Sequence, residues 1–185
     1  MRRIALLLLA GWVVQLAFPA QAQTLDPSTV VLTEADVPTG LRLSRDRSGS
    51  QTRDGAAGYQ VTFEADPAQV APNSGGIIVV TNVVGLPTDP VAGLDEMTRS
   101  AKQASPGSTT DLAAPAVGEE SRAFTASGGF GPFTVTMAGT LFRRNGAVVG
   151  VTVMGAGGEP HVEQSLRLAQ VVDARLIAAG RPGGS

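Results

Sequence analysis

The sequence predicts an α+β domain: an antiparallel sheet of about six strands packed with two main helices, in the order βββα-βββα. Three observations carry that prediction. The extended runs Thr134–Arg144 and Ala147–Met154 are separated by Asn145-Gly146, a pair suited to a type I′ turn whose central residues both take φ > 0. Two other stretches, 90–101 and 160–179, repeat apolar residues at helical spacing behind recognisable start signals. Hairpin-linked strands, with the helices set apart from them in the chain, favour an antiparallel sheet over a parallel doubly wound one.

The first 22 residues stand outside the domain. Arg2-Arg3, an apolar run from Ile4 to Leu16 and the small residues of Ala20-Gln21-Ala22 form a secretory signal peptide, with cleavage expected after Ala22. The run is shorter than the roughly 20 residues of a spanning helix, so no stable membrane anchor is expected after cleavage. Of the 185 residues, 163 are left, enough for one domain with a workable core. Residues 23–30 are expected to be a flexible leader, 31–180 a single domain and 181–185 a C-terminal tail. The expected location is secreted or cell-envelope, outside the cytoplasmic membrane.

Losing Arg2 and Arg3 leaves 12 basic against 16 acidic groups, a net charge of about −4. A mildly acidic chain with the single lysine Lys102 lacks the basic stripe that nucleic acid requires. There is no cysteine, which removes thiol catalysis, thiolate metal sites and lipid attachment through an N-terminal cysteine. Trp12 departs with the signal peptide and Tyr59 is the one tyrosine, so stacking surfaces for sugars or bases are scarce.

In chain order, Thr33-Glu-Ala-Asp36 resembles a capping box and predicts one helical turn stopped before Pro38. Leu41–Arg45 and Tyr59–Glu64 alternate as short strands, with the polar stretch 48–58 between them read as a solvated loop. Ile77–Val84 is nearly continuously apolar and β-branched, which predicts a central strand covered on both faces. Asp89 caps the next helix and Pro90 takes its first position, with Val91, Leu94, Met97 or Thr98, and Ala101 on one stripe. Residues 108–118 read as a connection with room for one short strand. Ser121–Ala126 is a strand, and Ser127–Pro132 turns it into the Asn-Gly hairpin. There Phe142 should face Val149, Thr140 face Val151 and Ala138 face Val153, with Met137, Leu141, Val148 and Met154 on the opposite side. The last helix starts near Pro160, presents Val162, Leu166, Ala169, Val172 and Leu176 as a stripe, and ends at Gly180.

Chemical motifs are sparse. His161 is the only histidine, so a multi-histidine metal site is excluded, and no Gly-x-Ser-x-Gly elbow supplies a nucleophile. Gly155-x-Gly157-Gly158 lacks the further residues of a phosphate loop, and Glu159 would repel phosphate. Asp95-Glu96 and Glu119-Glu120 are neighbours in sequence that point apart in a helix or strand. They are read as surface charge or partners for Arg122 or Arg143. Arg143-Arg144 forms a small basic spot beside the hairpin tip. Ser127-Gly-Gly-Phe130-Gly-Pro-Phe133 either presents an aromatic group on a loop tip or folds Phe130 back over the core, and both readings stay open. Phe130, Phe133, Arg143 and Arg144 are the candidate ligand or partner contacts. No catalytic residue, metal ligand or cofactor is assigned.

Three short stretches recur in a familiar order: Leu32–Leu41 (Leu-Thr-Glu-Ala-Asp-Val-Pro-Thr-Gly-Leu), Val117–Phe124 (Val-Gly-Glu-Glu-Ser-Arg-Ala-Phe) and Leu141–Val149 (Leu-Phe-Arg-Arg-Asn-Gly-Ala-Val-Val). With the export signal and the C-terminal helix, they make the chain resemble bacterial extracytoplasmic domains of the LpqN-like and sensor-domain type over about residues 30–178. That resemblance implies a PsbP-like α/β sandwich and a non-enzymatic binding or sensing module at the cell envelope. The chain departs from the lipoprotein pattern in having no lipobox cysteine, which implies a soluble or wall-associated protein. The expected function is a secreted binding, sensing or accessory module whose partner is an unknown protein or a small apolar ligand. The alternatives are a small hydrolase using His161 and a structural envelope protein.

Overall fold

Asn145 and Gly146 hold φ of 51° and 80°, the left-handed region that Gly and Asn enter at least cost. They join β7 (Phe133–Arg144) to β8 (Ala147–Ala156) in the expected register, with Phe142 opposite Val149, Thr140 opposite Val151 and Ala138 opposite Val153. A computed structural model describes residues 25–53, 56–66, 68, 70, 74–130 and 133–180. The remaining elements are β1 (Leu41–Leu43), β2 (Gly49–Arg53), β3 (Ala56–Ala65), β4 (Ile77–Leu86), α1 (Pro90–Gln103), β5 (Ser108–Leu112), β6 (Glu120–Phe130) and α2 (Val162–Ala179).

The strands form one sheet in the order β1-β3-β4-β8-β7-β6-β5, and β2 lies beside β1 on the outer side of β3. Every ladder is antiparallel. An N-terminal meander and a C-terminal meander therefore meet where β4 pairs with β8. Eight strands stand where about six were expected. The two that periodicity does not disclose, β2 (Gly-Ser-Gln-Thr-Arg) and β5 (Ser-Thr-Thr-Asp-Leu), are edge strands of 5 residues each. Ladder hydrogen bonds hold them, not an apolar face, so their sequences carry no alternation to read. The glycine-rich stretch from Ser127 is likewise strand, since β6 runs to Phe130. A Cβ on Gly128 would lie 2.8 Å from the Gly107 nitrogen, so that glycine serves a close backbone approach.

The helices lie on opposite faces. Val148 and Val149 are neighbours in β8 and so point to opposite sides of the sheet. Val148 packs with Leu94 of α1, Phe124, Ala126, Met137 and Leu141. Val149 packs with Leu168, Ala169, Val172 and Leu176 of α2, and with Phe63, Val80, Val84 and Phe142. Burying Leu168, Val172 and Leu176 contributes about 1.5–3 kcal/mol each. The buried stripe of α2 is Ser165, Leu168, Ala169, Val172 and Leu176, while Val162 is 37% exposed. This differs from the predicted stripe because Ser165 turns inward, where its hydroxyl meets Thr140 of β7 and the Val151 carbonyl of β8, and so rotates Val162 outward. On α1, Asp89 caps as expected by accepting from the Val91 and Ala92 amides at 2.9 and 3.2 Å. Val91 itself is 49% exposed, because only Leu94 is fully enclosed against the sheet.

The chain before β1 completes the α2 side. Val30, Val31, Leu32 and Val37 are buried in the same core as α2, so the packed body takes in part of the stretch expected to be a leader. The predicted helical turn at Thr33–Asp36 is a hydrogen-bonded turn whose Asp36 carboxylate accepts from the Thr33 amide at 2.7 Å and the Thr33 hydroxyl at 2.8 Å. Arg175 of α2 donates to both Asp36 oxygens at 2.9 and 2.8 Å, and Arg167 donates to the Asp36 carbonyl at 3.2 Å. Asn82, a fully buried polar residue in central β4, accepts from the Leu32 amide at 3.0 Å and donates to the Gly150 carbonyl at 3.2 Å. The strap is thus tied to both the helix and the sheet.

Burial alone pushes the Asp36 carboxyl up, but the hydrogen bonds from Thr33 and the guanidinium of Arg175 outweigh it and hold the group below its ordinary 3.8. A carboxyl more acidic folded than unfolded contributes its full stability above the unfolded value and loses it as pH falls through the folded one. Denaturant melts at pH 7 and pH 3 should therefore show Asp36→Asn costing about 1–3 kcal/mol at pH 7 and less at pH 3, below the unfolded value. An equal cost at both would show that the charge of Asp36 does not hold the strap.

Candidate functional site

The four candidate contact residues fall at opposite ends of one long strand pair. Phe130 and Phe133 are opposed at one end of the β6–β7 ladder, and Glu120 and Arg143 at the other. Ten residues of strand, about 33 Å, separate the two ends. The backbones of Phe130 and Phe133 are placed; their side chains and residues 131–132 lie outside the described residues. Arg143 is engaged on both sides, donating to Glu119 at 2.9 Å and to Glu120 at 3.0 Å, while Arg144 pairs with Asp173 of α2. Hydrogen bonds from Arg143 and then Arg122 lower the pKa of Glu120, and the Asp173 carboxylate raises that of Arg144. The predicted partnership of the Glu119-Glu120 pair with Arg122 and Arg143 is present.

His161 occupies the N-cap of α2 without a side-chain capping bond, and its ring lies against Gly155, where a Cβ would come 2.7 Å from Nε2. That nitrogen is buried without a partner among the described residues, as is the Gln164 amide nitrogen. The nearby hydroxyls are committed elsewhere. Ser165 Oγ lies 3.0 Å from Thr140 Oγ1 and 3.2 Å from the Val151 carbonyl, and Thr136 Oγ1 donates to the Gly157 carbonyl at 3.3 Å. Beside β6, an open groove of about 510 Å³ follows residues 114–122. Its polar groups are also spent, with Ser121 donating to the Pro115 carbonyl at 2.6 Å and Glu120 holding Arg122.

The least-satisfied surface is elsewhere, on the α1 side of the sheet. Seven strands abreast span about 29 Å, whereas a helix with its side chains is about 10–12 Å wide. On this face α1 lies over β6, β7 and β8, and of β4 it reaches the Gly85 end through Met97, while Val79, Thr81 and Val83 stay partly exposed. Met97 marks the border, since a Cβ on Gly150 would lie 3.0 Å from its sulfur. On the far side the turn Arg45–Arg47 closes over β3, where Thr62 Oγ1 reaches the Arg47 carbonyl at 3.3 Å and Thr62 is 2% exposed. Between these walls lie Val79, Thr81 and Val83 of β4, with Thr152 and Met154 of β8 beside them, all half-buried. Val79 and Val83 belong to neither core cluster. Thr62, Thr81 and Thr152 form a row across three strands, and the first two hydroxyls are 3.5 Å apart.

This corrects the expectation that β4 is covered on both faces. Its Val80, Asn82 and Val84 side is sealed by α2 and the strap, and its Val79, Thr81 and Val83 side is a strip about one strand wide. The β-branched run announces a central strand but not how many helices are available to cover it. The sequence signal that could have found the strip is the lone Thr81 amid valines. Among the described residues, no helix is long and apolar enough to cross a membrane and no group of three or more His, Asp or Glu could hold a metal ion.

Fold and site together define an antiparallel α+β domain with one helix per face and an open apolar strip beside α1. No family model matches the chain, and no curated protein matches it. Among solved structures it is distantly similar to the crystal structure of LpqN involved in cell envelope biogenesis of Mycobacterium tuberculosis, with 16% identity, a TM-score of 0.31, and coverage of 75% of this chain and 78% of that chain.

The two sides of β4 should respond differently to one added hydroxyl. Val84→Thr buries it in a fully enclosed site and is expected to cost about 1–3 kcal/mol, whereas Val83→Thr on the strip should stay within about 0.5 kcal/mol by urea melts. Equal costs would show that the strip is closed.

Proposed function

We propose that this protein is a secreted, non-enzymatic binding or accessory module of the bacterial cell envelope, and that the strip over β4 receives a small apolar ligand. The observation that supports this reading is the pairing of half-exposed Val79 and Val83, outside both cores, with a thioether wall at Met97. Methionine adapts to ligands of varied shape, and burying such a surface favours association. The strip's hydroxyls at Thr81 and Thr152 give a bound molecule polar contacts without charge. The export setting rests on the leader with its Ala20-Gln21-Ala22 site. The PsbP-like sandwich belongs to the same reading, as does an LpqN-like kinship; LpqN itself is involved in cell envelope biogenesis.

Thermal-shift measurements across lipid, glycan and peptide panels test it. A ligand at 100 times its dissociation constant stabilises by about 2.7 kcal/mol, a readily measured rise in Tm. The rise is expected with apolar members and should vanish in Thr81→Trp, which fills the strip, while the unliganded Tm of that variant stays near that of the parent. A shift that survives Thr81→Trp unchanged removes the strip as the site.

A further inference from the structure

We propose that the outer edge of β5, which no other described strand pairs, is a self-association edge, pairing antiparallel with β5 of a second copy of this chain about a twofold axis at Thr110. The two edges of the sheet are built differently. At the far edge, β1 and β2 lie on successive parts of β3 with the turn Arg45–Arg47 between them, so that edge is broken, and it carries Arg42, Arg45 and Arg47. Interruption and charge of this kind keep an edge from pairing. β5 is continuous, bonded to β6 on one side, and exposed from Ser108 to Asp111. It contains neither Pro, Lys nor Arg, and its single charge, Asp111, is neutralised by Lys102 of α1.

The order of residues in β5 suits pairing with itself. An axis at Thr110 sets Thr110 opposite its copy, Thr109 opposite Asp111 and Ser108 opposite Leu112. Opposed positions are then both odd or both even, so whichever alternate residues aim their N–H and C=O outward, the two strands aim them at each other. Thr–Thr pairs are favourable, and like charges directly opposite are not. Here no charge meets its own copy: Asp111 faces the hydroxyl of Thr109. Both of those residues sit on the α1 side, because their β6 partners Phe124 and Ala126 pack beneath α1. Moving the axis to Asp111 would set two carboxylates together, and moving it to Thr109 would leave Leu112 unopposed. A twofold contact of this kind closes on itself and makes a dimer, not a fibre. With five residues from each copy, it belongs to the weak, concentration-dependent class.

The chain has no cysteine, so Thr110→Cys introduces a single thiol. Under mild oxidation, the mature Thr110→Cys chain is expected to form a disulfide-linked dimer at least about ten-fold faster than Val91→Cys, whose side chain is exposed on α1 but off the edge. Equal rates overturn the proposal. Thr110→Lys opposes two like charges and should sediment as a monomer at concentrations where the parent associates, and equimolar mixing with Thr110→Glu should restore the dimer. A mixture that stays monomeric, or a parent that is monomeric at every concentration, also overturns it.

Discussion

The ladder between β4 and β8 is the constraint from which the rest of this structure follows. It is the seam at which two meanders, each formed from hairpins near in sequence, become one sheet. Val80 opposite Val153 and Val84 opposite Val149 are all fully buried, so the seam is dry on its α2 face. It brings together residues some 70 positions apart, and the entropy of closing that loop must be offset by the apolar surface it hides. Both helices follow from it. α2 lies against β7 and β8 with the residues of β4 completing its bed, and α1 occupies the other side of the same hairpin.

Charged and polar groups act mainly as ties between elements brought together by that seam. Asp36 joins the N-terminal strap to α2, Asp173 joins α2 to the end of β7, and Glu119 and Glu120 hold Arg143 beside the hairpin tip. At that tip Asn145 also donates to the Leu176 carbonyl at 3.2 Å, satisfying an acceptor in the last turn of α2. Asn82 places one amide in the core and meets both obligations with backbone groups. The basic pair Arg143-Arg144, a candidate ligand or partner contact in the sequence, is thus engaged in ion pairs.

The surface available for recognition comes from a mismatch of widths. One helix per face cannot cover seven strands abreast, and the two faces handle the excess differently. On the α2 side the strap of Val30, Val31, Leu32 and Val37 fills the remainder. On the α1 side only the Arg45–Arg47 turn is present, so β4 stays half open. The same width leaves β5 at a rim, with β6 as its one neighbour among the described residues.

The sequence by itself determined the class of fold, the Asn145-Gly146 turn with its register, the start of α1 at Asp89-Pro90 and the identity of the central strand. Each is a local matter: a pair of residues that tolerates φ > 0, a capping carboxylate, a run of β-branched side chains. Edge strand β2 was not legible and β5 only as room for a short strand within 108–118, since polar strands held by ladder bonds have no apolar period. Nor was the inward turn of Ser165, which depends on the Thr140 hydroxyl and Val151 carbonyl that β7 and β8 bring to it. The engagement of Arg144 by Asp173, the burial of Val30 and the openness of Val79, Thr81 and Val83 were decided only by the tertiary structure. They depend on which distant elements arrive beside them, and a valine run reads the same whether a helix covers one of its faces or two.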